Sequence, residues 1–190
     1  MTSVLSATAR PPQEGRQGVP IATDPRAEAA LERLYDEHYV RLLRLAVLLV
    51  GDTGRAEEVV QDSFVAMFQR WDRLVGADHP AYLRATVVNR SRSVLRHLRV
   101  VRRHPDEQPL PDPGADDPVL AGVRREAVLA ALAGLPRRQR EVLALRYYLD
   151  LSEREIAGTL GISQGAVKSH TSRGAAALRA TLSGLLEEDA

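Results

Sequence analysis

SEREIAGTLGISQGAVKSH, residues 152–170, decides how the rest of the chain is read. Ser152 and Glu155 have the spacing of a capping box, in which each side chain bonds the other's free backbone N–H at a helix start. Ile156 and Leu160 then fall on one inward face, Ala157 is small where two helices would cross closely, and Gly161 suits the left-handed backbone of a sharp turn. Ile162 plugs the corner and Ser163 caps a second helix, whose Val167, His170, Gly174 and Leu178 recur at helical steps. Its opposite face is left for solvent or a DNA groove. An ordinary helical hairpin with a glycine turn would satisfy part of this pattern, but not all of these offsets together.

Working back from this unit, helical periodicity starts near Val119, breaks at AGLP (133–136) and restarts at Pro136, with Val142, Leu145 and Leu149 on one side. A small helical domain is therefore expected over residues 119–186. Before it, HPDEQPLPDPGADDP (104–118) holds five acidic residues, five Pro and one Gly without apolar period, which reads as a flexible linker. Upstream the sequence predicts three helices over 27–103. The first carries Leu31, Leu34, Tyr35, His38, Leu42, Leu45, Ala46 and Leu49 and stops at Gly51. The second is capped by Asp52 or Thr53, with an apolar row of Val60, Phe64, Met67 and Trp71 beside a polar row of Glu58, Gln61, Asp62 and Val65. The third opens at Pro80 and buries Leu83, Val87, Val94, Leu98 and Val101. Residues 1–26, rich in Pro, Gly, Gln, Ser and Thr, are expected to be disordered. The fold class is thus all-α: two small helical domains on a flexible, acidic, Pro-rich linker.

Composition agrees. The chain has 190 residues, of which 44% are hydrophobic and only 4% aromatic, which suits short packed helices better than a sheet. With no Cys, a disulfide framework, a thiolate zinc site and thiol chemistry are excluded. No apolar run approaches the roughly 20 residues of a membrane span, so a cytoplasmic protein is expected. Net charge is only +1, so distribution carries the information. From Tyr82 to His104 there are seven Arg and no acid. Arg92, Arg96, Arg99 and Arg103 follow steps of four, three and four, a positive ridge that would hold a nucleic-acid backbone and loosen with salt.

Two stretches resemble a known family. LPRRQREVLALRYYLDLSEREIAGTLGISQGAVKSHTSRGAAALR (135–179) is similar to region 4 of the sigma-70 superfamily, which reads the minus-35 promoter element, and also to the DNA-binding domain of LuxR-type regulators. AEEVVQDSFVAMFQRW (56–71) is similar to region 2.2 of extracytoplasmic-function (ECF) sigma factors. That resemblance implies that Glu58, Gln61, Asp62 and Val65 bind the β′ coiled coil of RNA polymerase core, with the β flap as the second polymerase contact. It also implies that the third helix and the loop VGADHP (75–80) make regions 2.3 and 2.4, with Arg84, Asn89, Arg92, Arg96, Arg99 and Arg103 on the minus-10 DNA. On the recognition helix, Ser163, Gln164, Gly165, Lys168, Ser169, Ser172 and Arg173 would meet minus-35 DNA. The linker would thread polymerase toward the RNA path; a plain tether explains its composition equally well. Ala175 to Ala177, where many relatives carry Arg or Glu, and Thr171, where Leu is usual, place the chain nearer an actinobacterial branch.

The resemblance implies an alternative sigma factor, with RNA polymerase core, promoter DNA and an anti-sigma factor as partners and with no cofactor and no metal. A LuxR-like regulator with a different N-terminal domain is the alternative; a phosphoryl receiver there would need alternating strands and a late Lys, and residues before 104 offer neither. An enzyme is the third class. Asp36, Glu37 and His38 are adjacent, but neighbouring helical residues point in different directions and His38 falls on the apolar stripe. No phosphate loop, no nucleophile with a base and no cofactor signature is present.

Overall fold

Helix α1 spans Pro25–Val50, and Leu42, Leu45, Ala46 and Leu49, at steps of three, one and three, form its buried face. It stops where Gly51 takes a φ of 80°, a left-handed conformation that lets the Gly51 N–H bond the Val47 carbonyl at 2.8 Å. The Asp52 carboxylate accepts from the Arg55 N–H at 2.8 Å and starts α2, Thr53–Phe68. This is a computed structural model; it describes residues 25–101 and 119–188, with side chains over 27–98 and 126–183. The expected linker (104–118), Arg103 and all but the end of the expected N-terminal extension (1–26) lie outside the described residues.

Helix α2 buries Val59, Val60, Phe64 and Met67 against α1 and α3. Trp71 does not extend that row. The α-helix ends at Phe68 and the chain tightens into a short 3₁₀ turn, Trp71–Leu74, which stacks the indole on the His79 ring at 4.8 Å between centroids. Asp78, whose carboxylate accepts from the Ala81 N–H at 2.8 Å, then caps α3, His79–Val101, one residue before the expected start. Leu83, Val87, Val88 and Ser91 form its buried face, with Val94 and Leu98 half-buried.

In the second half, α4 covers Val119–Gly134 and α5 covers Arg137–Leu143, with Pro136 just outside its first turn. Helix α5 widens into a single π turn, Ala144–Tyr148, which the periodicity did not reveal. Asp150, with a φ of 54°, turns the chain into α6, Glu153–Leu160, and α7, Gln164–Glu188, follows. Helices α5 and α7 cross closely because residue 174 is glycine: a Cβ there would stand 3.1 Å from both the Gln139 Cβ and the Leu143 Cδ1.

Every regular element among the described residues is helical. The two halves share one core. Leu42, Leu45, Val60, Leu83 and Val87 from the first are continuous with Val142, Leu145, Leu149, Ile156 and Leu160 from the second. Each such side chain contributes about 1.5–3 kcal/mol when fully buried. Arg140 ties the ends of two helices together, donating to the Leu49 carbonyl at 2.8 Å and to the Ala133 carbonyl at 2.6 Å, both in last turns that have no intrahelical partner for them.

Candidate nucleic-acid interface

The α6–turn–α7 unit is built as its residues dictate. Ser152 and Glu155 form the full capping box: the Glu155 carboxylate accepts from the Ser152 N–H at 2.8 Å, and the Glu155 N–H donates to the Ser152 hydroxyl at 3.3 Å. Gly161 has a φ of 64°, and the Ile162 N–H reaches back to the Ala157 carbonyl at 3.1 Å. The Ser163 hydroxyl accepts from the Ala166 N–H at 3.1 Å and starts α7. The Ser152 hydroxyl and N–H hold the Glu155 carboxyl below its ordinary range. Because that value is depressed, the contribution is present above the ordinary glutamate range and is lost as acid protonates the carboxylate. Ser152→Ala is expected to lower stability by about 1 kcal/mol at neutral pH and to flatten the acid limb of the stability profile, as read by urea unfolding between pH 7 and pH 3.

With Val167 fully buried and Gly174 packed on α5, the opposite face of α7 is open. Ser163, Gln164, Gly165, Lys168, Ser169, Ser172 and Arg173 are all exposed on it. Their recurrence at steps of three and four makes one strip on the first two and a half turns. Lys168 stands 3.7 Å from Glu153, and Arg173 donates to the Ser169 hydroxyl at 2.8 Å. Both contacts are surface pairs that a polyanion can replace.

A second basic surface lies on α3. Asn89 and Arg96 are exposed, and Arg96 has only a 3.5 Å contact to the Ser93 hydroxyl. Arg92, expected in the same ridge, is turned inward: it holds the Glu141 carboxylate with two bonds, at 2.7 and 2.9 Å, while also donating to the Asn89 amide oxygen at 2.8 Å. Arg84 is half-buried at the junction with the second half. Arg99 lies on α3, with its side chain outside the described residues. In front of the helix, Gly76 has a φ of 79° and Val75 is 79% exposed, so of VGADHP the first four residues form an exposed loop and His79 and Pro80 already belong to α3.

On α2 the structure brings Glu58, Gln61, Asp62 and Val65 onto one exposed strip. Val65 is 52% exposed and gives this otherwise polar strip one apolar side chain. Asp62 is paired with Arg90 of α3 at 2.7 Å. A groove between the two helices is lined by Glu58, Asp62, Arg90, Val94 and His97.

Glu141 is a residue that sequence reasoning missed. It is 2% exposed and sits among Arg92, Arg138 at 3.0 Å and Arg137 at 3.6 Å. From sequence alone, Arg137, Arg138 and Glu141 read as an ordinary solvated helix pairing; only α3, 49 residues away, buries the carboxylate.

Two family models match the chain. Sigma-70 region 2 matches residues 34–102, and Sigma-70, region 4 matches residues 125–178. The ECF RNA polymerase sigma factor SigL of Mycobacterium tuberculosis is 36% identical over 163 residues, 82% of this chain and 91% of the relative. The chain belongs to the ECF sigma factors. Another relative of this sigma factor, the RNA polymerase sigma-E factor of Streptomyces avermitilis, is 37% identical over 159 residues, covering 80% and 87% of the two chains. Among solved structures, CnrH in complex with the cytosolic domain of CnrY aligns with a TM-score of 0.62 at 26% identity, over 86% of this chain and 91% of that one. RpoE in complex with the anti-sigma factor NepR, from Bartonella quintana, aligns at 0.66 over 80% and 98%; at 24% identity it shows a common fold.

As a member of this family the protein is an alternative sigma factor, which binds RNA polymerase and promoter DNA and directs transcription initiation. The LuxR-like alternative is not supported, because residues 34–102 are a sigma region 2. Sigma factors are initiation factors rather than enzymes. Among the described residues no cluster of His, Asp and Glu could hold a metal ion, and no helix is long and apolar enough to cross a membrane.

Proposed function

We propose a division of labour among the three surfaces. Residues 27–103 serve as region 2, and Glu58, Gln61, Asp62 and Val65 on α2 dock on the β′ coiled coil of polymerase core, an acidic and apolar strip offered to a basic partner helix. Helix α3 and its loop take the minus-10 strand through Arg84, Asn89, Arg92, Arg96, Arg99 and Arg103, with guanidinium groups compensating the few kcal/mol needed to turn out a base. Residues 119–186 serve as region 4, resting on the β flap and reading minus-35 DNA with Ser163, Gln164, Gly165, Lys168, Ser169, Ser172 and Arg173. Residues 104–118 connect them. Polymerase supplies all catalysis, and the chain works in the cytoplasm without a cofactor. CnrH was solved with the cytosolic domain of CnrY and RpoE with the anti-sigma factor NepR, which favours an anti-sigma factor as a partner of this chain as well.

The observation that carries this reading is the co-occurrence, in one chain, of an exposed acidic-apolar strip on α2, a basic α3 and an open α7 face. Run-off transcription with purified core polymerase on a genomic promoter library tests it: transcripts that start only when the chain is added support it, and their absence refutes it. On promoters recovered this way, Lys168→Ala is expected to reduce output about tenfold, equivalent to about 1.4 kcal/mol, where a minus-35 element is present. An equal loss from promoters lacking the element would remove Lys168 from minus-35 reading.

A further inference from the structure

The loop before α3 is tied at both ends to one atom. The carbonyl oxygen of Leu74, the last residue of the 3₁₀ turn, accepts from the Ala77 N–H at 3.0 Å and from His79 Nε2 at 3.0 Å. A carbonyl has two lone pairs and no proton to give, so both are occupied and the imidazole is the donor, with its proton on Nε2. His79 is held a second time by its stack on Trp71, with 4.8 Å between centroids and 27° between planes. Both stems of the loop, residues 75–78, are therefore anchored. Leu74 and Trp71 hold the first; His79 holds the second, together with Asp78, whose carboxylate is engaged as the cap of α3.

The tip is built differently. Val75, Gly76 and Ala77 are all exposed and none of them carries a polar side chain. Gly76 supplies the left-handed turn but has no side chain to fix it. A loop of this composition can read the donors and acceptors of a base only with main-chain N–H and C=O groups, and a base's apolar surface only with the small side chains of Val75 and Ala77. Main-chain groups have no rotamers to compensate for misplacement, so a displacement of about 1 Å takes them out of bonding range. Whatever fixes the stems then decides what the tip can read.

We infer that His79 is the positioning residue behind base preference in the minus-10 strand, acting through its two-point hold on Leu74 and Trp71 and not by touching DNA. The hydrogen bond closes the loop, and the stack fixes the ring that makes the bond. The inference rests on the reading of this loop as part of the minus-10 surface given above.

The test uses the full chain with core polymerase on promoters recovered by run-off transcription, with the minus-10 element randomised and the transcripts sequenced. His79→Ala removes both holds. His79→Phe keeps a ring against Trp71 without the donor, and His79→Gln keeps a donor near the Nε2 position without the ring. In His79→Ala the output ratio of best to worst base at the affected minus-10 position is expected to fall by about two- to tenfold, the span that one net hydrogen bond represents. Minus-35 preference should be unchanged, and the Phe and Gln variants should each recover part of the ratio. Nitrogen NMR of the imidazole should show the proton on Nε2. A merely structural role predicts instead an equal fall of output on every minus-10 sequence, and that result would overturn the inference. So would a preference that the three His79 variants leave intact while Val75→Asp, at the exposed tip, alters it. If Val75→Asp leaves it intact as well, the loop is not a minus-10 contact and the reading beneath the inference is what fails.

Discussion

Asp62→Arg is expected to cost the chain its hold on RNA polymerase core, at least about thirtyfold in affinity, while circular dichroism and the thermal midpoint stay near those of the unmodified chain. The fold should survive because the Asp62 side chain is 65% exposed, and its 2.7 Å pair with Arg90 is a surface ion pair, worth no more than about 1 kcal/mol. The interface should not survive. Once polymerase covers the strip, a reversed charge meets a basic partner in a site stripped of water, where losses of 2–5 kcal/mol are usual, or roughly 30-fold to several thousand-fold. Arg90→Ala is the control: it breaks the intramolecular pair but leaves the carboxylate on the strip, so binding should persist. A pull-down in which Asp62→Arg retains core as well as the unmodified chain does would remove α2 as the polymerase contact.

The second large effect is structural. Gly174→Val should destabilise the chain by about 1–3 kcal/mol, the range for overfilling a packed contact. Even the first carbon of the new side chain would stand 3.1 Å from Gln139 and Leu143, and valine adds two methyl groups in a gap that holds none. Helix α7 would have to move away from α5. Residue 174 is ten positions past Gln164, about 15 Å along the helix, so a tilt at the crossing is carried to the face proposed to meet DNA. Loss of minus-35 recognition should accompany the drop in thermal midpoint. A valine variant with unaltered unfolding would show that the two helices do not approach so closely.

Much of this architecture was legible because it is local. The capping box at Ser152 and Glu155, the left-handed Gly161 and the centres of the buried faces, Leu42, Leu45 and Leu49 on α1, Val60, Phe64 and Met67 on α2, Leu83 and Val87 on α3, depend on residues within one or two turns of each other and fall where spacing predicts, whereas Tyr35 is exposed and Val94 and Leu98 are half-buried. Helix ends drifted by a residue, as at His79 against Pro80, because Asp78 competes as the cap. Trp71 left its expected row for a physical reason: a tighter turn lets it stack on His79, a partner eight residues away that no helical period contains. The exposed strips on α2 and α7 could be listed from sequence because exposure is what remains when the apolar stripe is assigned. What could not be read was anything that depends on the halves meeting. The bonds of Arg41 to Leu149, Arg92 to Glu141 and Arg140 to Leu49 span 108, 49 and 91 residues, and in sequence each arginine looks like surface charge. Hence Arg92 was assigned to a ridge along one helix, whereas its side chain turns toward the other half.

Trp71 has a practical consequence of its own. It is the chain's single tryptophan, held against an imidazole at the root of the VGADHP loop. Indole emission shifts with local polarity and is quenched by neighbouring rings, so this one fluorophore is an intrinsic optical probe of the loop before α3, where the function proposed above would have the duplex first open. Mixed with polymerase core whose own signal is subtracted, or replaced by a tryptophan-free core, it could time strand separation on a stopped-flow instrument without any dye.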